Sequence, residues 1–133
     1  MSQENVEIAV KSIDAFNRRD VEALVELSTP DVERFPPMFG ALDGGSFRGR
    51  EGIEMSLEDV RKAWDEFCIL SEEFRDLGDR VLMLGRVTGR GRESGVEVNS
   101  PLGAIYDFRG DKISRFRGYL DQGEALRAAG LEE

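Results

Sequence analysis

Hydrophobic residues recur every three to four positions in the first half of the chain and every two positions in the second half. In residues 5–17 this spacing predicts an amphipathic helix, with Val6, Ala9, Val10, Ile13 and Phe16 on one face. Asp20 stands where an N-cap belongs and predicts a shorter helix over residues 21–27. A third helix is predicted over residues 51–65, with Ile53, Leu57, Val60 and Trp64 on one side.

Alternating patterns and turn signals dominate after the third helix. They predict four long strands over residues 67–76, 80–92, 95–108 and 112–120, and a short strand is predicted earlier, over residues 32–35, between the second and third helices. Asp121 and Glu124 form a capping-box pattern ahead of a C-terminal helix. Helices followed by long antiparallel strands predict one α+β domain spanning residues 1–133.

The segment from residue 36 to residue 52 contains two prolines and five glycines, which predict irregular backbone over most of its length. Met38, Phe39 and Phe47 give it apolar contacts. A loop this long is either a lid over a pocket or a packed connection between elements, and the sequence leaves both open.

The strand over residues 80–92 is apolar on both faces. Val81, Met83 and Val87 alternate with Leu82 and Leu84. If the helices pack on one face of the sheet only, the other face needs a partner, and this predicts a homodimer through the sheet.

The composition excludes several kinds of partner and compartment. A net charge of −9 argues against a nucleic acid as partner. No apolar run approaches the ~20 residues that span a bilayer, and residues 1–5 lack the features of a signal peptide. Cys68 is the single cysteine and cannot form an intramolecular disulfide, so we expect a cytoplasmic protein.

The chain contains no histidine, which removes the side chain best suited to proton transfer near neutral pH. Histidine-based triads are excluded, and we expect neither a metal nor a cofactor. Arginines cluster at residues 86–92 and 115–117, either as paired or solvated outward positions or as a local anion site.

Five short phrases, in the same order along the chain, resemble the nuclear transport factor two-like superfamily, and in particular its SnoaL-like (polyketide cyclase-like) branch. They are Ala15–Asp20, Pro30–Glu33, Phe47–Ile53, Gly89–Gly95 and the segment from Gly110 to Asp121. The resemblance covers nearly the whole chain. It implies a conical half-barrel, in which a curved mixed or antiparallel sheet carries N-terminal helices over its concave face. It also implies a deep hydrophobic pocket between the sheet and the helices.

The superfamily holds isomerases, hydrolases, cyclases, dehydratases and noncatalytic binders, so individual positions decide the function. The positions that match the proton-transferring residues of these enzymes are occupied here by Ser12, Pro36, Thr88, Ala104 and Gly118. Losing one general acid or base lowers a rate by ~10²–10⁴. The sequence therefore argues against ketosteroid isomerase, epoxide hydrolase and histidine-dependent chemistry.

The resemblance also implies which residues line the pocket. They are Phe16, Phe35, Trp64, Leu84, Arg86, Thr88, Ala104, Tyr106, Phe108, Phe116, Gly118 and Leu120. The alternative is that these aromatic side chains simply fill the core. Gly118 beside Ala104 favours a cavity, because two small neighbouring residues leave space unfilled.

Glu33, Arg86 and Tyr106 are the candidates for chemistry. Arg86 is expected to face inward and either to pair with a glutamate, at position 33, 72 or 73, or to bind a ligand oxygen. Glu33 is a candidate base, whereas Asp121 is interpreted as a helix cap.

Three hypotheses follow. The first is a domain that binds a small hydrophobic metabolite, which the resemblance implies is of polyketide or terpenoid type. The second is an enzyme in which Glu33 or Tyr106 carries a proton while Arg86 stabilises negative charge. The third is a noncatalytic dimeric scaffold.

Overall fold

The structure is a computed structural model, and it describes residues 2–37 and 47–131. Its helices are α1 Ser2–Asn17, α2 Val21–Glu26, α3 Gly49–Ala63 and α4 Gln122–Ala128. Its strands are β1 Ser28–Phe35, β2 Phe47–Arg48, β3 Trp64–Asp76, β4 Arg80–Gly91, β5 Glu97–Arg109 and β6 Lys112–Tyr119. The predicted α+β class is confirmed. No helix in these two ranges is both long and apolar enough to cross a membrane.

The six strands form one curved sheet in the order β2-β1-β6-β5-β4-β3. β1 runs parallel to β6, and every other neighbouring pair is antiparallel. Irregularities interrupt the β3–β4 register between Ser71 and Glu73 and the β5–β6 register between Asp107 and Phe108. Such bulges bend a strand and increase its twist. The mixed, curved sheet that the resemblance implied is confirmed.

The main core lies between the concave face of the sheet and the helices α1, α2 and α3. Its fully buried members include Ala9 of α1, Leu24 of α2 and Ile53 of α3. Because successive strand residues point to opposite faces, the odd-numbered positions of β4 join this core, namely Val81, Met83 and Val87.

The opposite, convex face of the sheet is partly covered by α4. A second core joins the sheet residues Leu82, Leu84 and Ile105 to Ala125 and Ala129 of α4 or its C-cap. The assumption that helices pack on one face only is therefore wrong. The apolar second face of β4 is explained by α4 and does not itself require a dimer.

Asp121 is the N-cap of α4, as its spacing to Glu124 predicts. Its carboxylate accepts hydrogen bonds from the backbone N–H groups of Gly123, at 2.7 Å, and Glu124, at 3.4 Å. The acid at the end of the last strand is thus used by the helix that follows.

Asp121→Ala is expected to lower the free energy of unfolding by ~1 kcal/mol, because two helix-end donors lose their acceptor. Asp121→Asn keeps an acceptor oxygen and should cost only a few tenths of that amount. Urea unfolding of both variants measures the difference. Equal losses in the two variants would contradict the capping role.

The irregular stretch predicted over residues 36–52 is partly wrong. Phe47 and Arg48 form a short strand against β1, and α3 begins at Gly49. The remaining expectations for this stretch concern Met38 and Phe39 and the choice between a lid and a connection. They fall on residues 38–46, outside the described ranges.

Candidate functional site

A small cavity lies between α1, α3 and the concave face of the sheet. The volume open to the centre of a water-sized sphere is about 50 Å³, and all unoccupied space in and around the cavity, open solvent included, is about 460 Å³. It is lined by Phe16, Arg34, Pro36, Ser56, Val60, Phe67, Ile69 and Phe116. All of these residues are apolar except Arg34 and Ser56, so the cavity is an apolar space with two polar positions.

Aromatic contacts hold the walls of the cavity in place. Phe16 meets Phe67 edge-on, with 6.2 Å between ring centroids. Trp64 packs on the other side of this pair, 5.2 Å from Phe67. Phe116 packs against Tyr106, also at 5.2 Å. Tilted and edge-to-face pairs of this kind are the favoured geometry for aromatic rings.

Arg34 is the one charged residue of the lining among the described residues, and it is only 5% exposed. It shares the inward face of β1 with Val32, while Glu33 and Phe35 alternate onto the other face. Its guanidinium carbon lies 4.6 Å from the centroid of the Phe116 ring. The Nη1 atom is fully buried and has no hydrogen-bond partner among the described residues. Within residues 2–37 and 47–131, no carboxylate forms an ion pair with Arg34.

Burial shifts the pKa values of Arg34 and Tyr106 in opposite directions. Removal from water lowers the pKa of Arg34, although the nearby Tyr106 partly offsets this. A guanidinium nevertheless stays charged at neutral pH. Burial raises the pKa of Tyr106, against a smaller lowering by the charge of Arg34. The site therefore holds a buried cation beside a protonated phenol.

Two of the residues predicted to line the pocket, Phe16 and Phe116, do line the cavity. Five others pack in the same core without appearing in the lining, namely Trp64, Ala104, Tyr106, Phe108 and Leu120. Five positions match the proton-transferring residues of the related enzymes, and of these five only Pro36 lines the cavity. Ser12 and Ala104 are buried but do not appear in the lining.

Gly118 pairs with Ala104 as predicted, but the two small residues do not leave space between them. A Cβ atom at Gly118 would lie 2.6 Å from Cδ of Pro37. The proline ring occupies the volume that the missing side chain vacates. The expectation of an open cavity above Gly118 is wrong for this reason.

Leu84, Arg86 and Thr88 lie on the convex face, and their predicted inward orientation is wrong. Leu84 packs against α4. Arg86 donates from Nε to Oδ1 of Asn99, at 2.6 Å, and from Nη2 to the Asn99 carbonyl oxygen, at 3.3 Å. Thr88 lies opposite Cys68 and Asn99 in a polar groove. The partner of Arg86 is thus an amide on β5 and none of the glutamates considered for it.

Glu33 and Phe35 also face away from the cavity. The carboxylate of Glu33 accepts a hydrogen bond from Arg48 at 2.5 Å, and Phe35 is half-buried opposite Arg117. The position of Glu33 corrects the idea that it faces the cavity as a base.

The remaining arginine clusters form ion pairs on the surface. Arg115 and Arg117 both pair with Asp107, at 2.9 Å and 3.4 Å. Arg90 pairs with Glu66, and Arg92 with Asp65. The interpretation as outward, paired positions is confirmed for these residues.

Sequence reasoning missed Arg34 because charged strand residues are normally assigned to the surface. A signal was present, since Val32 is apolar and shares its parity with Arg34 two residues later. Following that alternation along β1 would have placed the arginine inside.

A curved six-stranded sheet with helices over its concave face and an apolar cavity between them defines the cone-shaped α+β class that the sequence resembles. Within that class the chain belongs to the SnoaL-like domain family, whose family model matches residues 9–116.

Solved structures with the same fold come from several bacteria. An NTF2-like protein of unknown function from Burkholderia pseudomallei is 22% identical, with a TM-score of 0.79 and coverage of 93% of this chain and 95% of that one. A cystatin-fold protein from Novosphingobium aromaticivorans is 29% identical, with a TM-score of 0.72 and coverage of 90% and 98%. TerC co-crystallised with polyporic acid is 24% identical, with a TM-score of 0.78 and coverage of 96% and 98%. No curated protein sequence matches the chain.

Proposed function

We propose that this SnoaL-like domain binds a small, largely apolar molecule in the cavity beneath the concave face of the sheet. The observation that carries the proposal is the cavity itself, with its walls of Phe16, Phe67 and Phe116 and only two polar positions. Apolar walls with a few fixed polar groups are typical of small-molecule sites. The co-crystallisation of TerC, a structure of the same fold, with polyporic acid supports the same use of the fold.

The size of the cavity limits how such a ligand sits. The cavity is partly open to solvent and has a volume of about 50 Å³. It holds one functional group, whereas sites for whole drug-sized ligands measure ~300–1,000 Å³. The rest of the ligand would occupy the opening of the cavity towards solvent. Polyketide- and terpenoid-type metabolites fit this proposal as ligands with a broad apolar body.

Binding is favoured over proton-transfer catalysis by the chemistry of the lining. Among the described residues, the cavity presents no carboxylate, thiol or phenol. Glu33 lies on the other face of β1, and burial raises the pKa of Tyr106 far above neutrality. Neither candidate proton carrier is placed to take a proton from a ligand in this cavity.

The homodimer stays a prediction. Its support is the part of the convex face that α4 leaves uncovered, where Leu70 is 46% exposed opposite Arg86. Sedimentation at tens of micromolar measures the oligomeric state, and a monomer there would contradict the dimeric scaffold.

Val60→Phe is expected to abolish ligand binding, because Val60 lines the cavity and a larger ring would occupy its free volume. The probes are matched neutral and anionic compounds: benzamide and benzoate, and 2-naphthamide and 2-naphthoate. A probe present at ten times its Kd stabilises a protein by ~1.4 kcal/mol, which raises Tm by several degrees. Wild-type protein should show this shift and Val60→Phe should not.

Met55→Phe is the matched control, since Met55 lies on the same helix but is 54% exposed. It should bind the probes like the wild type. Far-ultraviolet circular dichroism checks that both variants fold. If no probe binds the wild type at millimolar concentration, or if folded Val60→Phe binds as well as Met55→Phe, the proposed site is wrong.

A further inference from the structure

We propose that Arg34 is an anion-recognition residue, so that the ligand of the cavity is a small apolar or aromatic molecule carrying one negatively charged oxygen group, such as a carboxylate or an enolate. This inference rests on the proposed binding function and adds the chemical class of the ligand. It assigns to Arg34 the contact that the described residues leave unmade.

The first support is the unmet hydrogen-bonding capacity of the guanidinium. A guanidinium has five N–H donors and no acceptor. Among residues 2–37 and 47–131, Nη1 of the buried Arg34 has no hydrogen-bond partner and no ion pair neutralises the charge. Buried polar groups are almost always hydrogen-bonded, and an uncompensated buried charge is strongly unfavourable. Arg34 lines the cavity, so an oxyanion that reached the guanidinium from there would supply a hydrogen-bond acceptor and the countercharge.

The Phe116 ring only partly replaces such a partner. Its centroid lies 4.6 Å from the guanidinium carbon, a distance at which the face of the ring attracts a cation. A ring face does not satisfy N–H donors in the plane of the guanidinium. The contact fixes the guanidinium carbon over the ring of Phe116 and leaves the N–H donors to be satisfied by other groups.

The second support is that two carboxylates on strands near Arg34 lie on the convex face of the sheet and are already paired. Glu33 neighbours Arg34 in sequence but points to the convex side, where it binds Arg48. Asp107 binds Arg115 and Arg117 on that same side. Ser56, the other polar residue of the lining, donates its hydroxyl proton to the carbonyl oxygen of Ile53 at 3.0 Å. Arg34 is therefore the group in the described lining that can recognise charge.

The size of the cavity matches an anionic head group. About 50 Å³ is well below the volume of sites for whole drug-sized ligands, so a small group such as a carboxylate would enter the cavity and the body of an aromatic ligand would not. The whole chain carries a net charge of −9, which repels anions at long range. A preference for anions would for that reason have to arise locally, at the buried cation.

The test compares isosteric acid and amide probes on the intact chain. Isothermal titration measures Kd for 2-naphthoate and 2-naphthamide with wild-type protein and with Arg34→Met. We expect the wild type to bind the acid at least about tenfold more tightly than the amide, the effect of one charge-assisted hydrogen bond. In Arg34→Met this ratio should fall to one or below. The Arg34 Nε–Hε resonance should shift on adding the acid and not the amide.

The outcomes separate this inference from the proposed function. Equal binding of acid and amide to the wild type would overturn the role of Arg34 while leaving the binding site intact. Binding of neither probe would overturn both. A preference for the acid that survives in Arg34→Met would place the anion elsewhere and also overturn it. Arg34→Lys keeps the charge without the planar fork, and it serves as the second variant, with a reduced but measurable preference expected.

The stability of the ligand-free protein gives a second readout. Replacing an uncompensated buried charge by an apolar side chain of similar length is often stabilising. Arg34→Met should therefore unfold at a urea concentration equal to or above that of the wild type. A lower midpoint would show that Arg34 is a structural residue whose contacts are already satisfied, and would overturn the inference.

Discussion

Gly85→Val is expected to lower the free energy of unfolding by more than ~4 kcal/mol, a loss reached only when a substitution breaks a specific structural requirement. A Cβ atom at Gly85 would lie 2.1 Å from the carbonyl oxygen of Leu70 and 3.1 Å from Sδ of Met83. The nearer atom belongs to the backbone of β3, which pairs with β4 along this stretch. Neither strand can retreat without breaking that pairing. Urea unfolding and the yield of soluble protein measure the effect.

Gly95→Ala is the matched control for this prediction. Gly95 has a φ of +70°, and a Cβ there would meet no atom within 4 Å. Gly95→Ala should lower the free energy of unfolding only by the cost of an alanine in the left-handed backbone conformation, ~1–2 kcal/mol. If Gly85→Val unfolded at the same midpoint as Gly95→Ala, the close approach of β3 to β4 would not be a property of the folded protein.

Tyr106→Ala is expected to cost ~3–5 kcal/mol, the usual range for deleting a buried aromatic ring. Tyr106 is only 2% exposed and packs against Phe116, which in turn stacks on Arg34. Loss of the ring would leave a hole behind one wall of the cavity, so probe binding should weaken as well. Chemical denaturation measures the first effect and titration with 2-naphthoate the second.

Tyr106→Phe separates packing from chemistry, because it keeps the ring and removes only the hydroxyl. We expect a loss of no more than ~1.5 kcal/mol and unchanged probe binding. A variant of wild-type stability that lost a measurable turnover would instead support Tyr106 as a proton carrier. That result would restore the enzymatic hypothesis.

Periodicity alone predicted most of the fold. The apolar stripe of α1 and the cap of α2 were correct, and the Asp20 carboxylate accepts from the backbone N–H of Ala23 at 3.1 Å. Val10 was assigned to the buried stripe but is exposed at the margin of the helix face. The curvature of the sheet was implied by the resemblance and not by local pattern, and the parallel pairing of β1 with β6 was not predicted.

The orientation of β4 could not be predicted from its own sequence. Leu82 and Leu84 are as apolar as Val81 and Met83, so both parities bury equivalent surface. The choice depends on where α4 packs, and that is a tertiary property. Because the parity of β4 was assigned wrongly, Leu84, Arg86 and Thr88 were all predicted on the concave face although they lie on the convex face.

The site was harder to predict than the fold for a related reason. Its charged residue, Arg34, violates the rule that charge lies outside, and such violations concentrate at functional positions. A sequence pattern gives the average environment of a residue type. The sequence signal for a buried Arg34 is the alternation along β1, in which Arg34 has the same parity as the buried Val32.

The contact between Gly118 and Pro37 restricts how this chain could acquire the chemistry of its enzymatic relatives. The resemblance implies that those relatives carry a carboxylate where this sequence has Gly118. Here a pyrrolidine ring sits 2.6 Å from where the first atom of any such side chain would be. In a Gly118→Asp variant the new side chain would clash with the ring of Pro37, so the carboxylate could not enter the core without a movement of that ring. An aspartate at position 118 would therefore require a second change, at or near Pro37. A protein with the aspartate alone would be less stable than the present one.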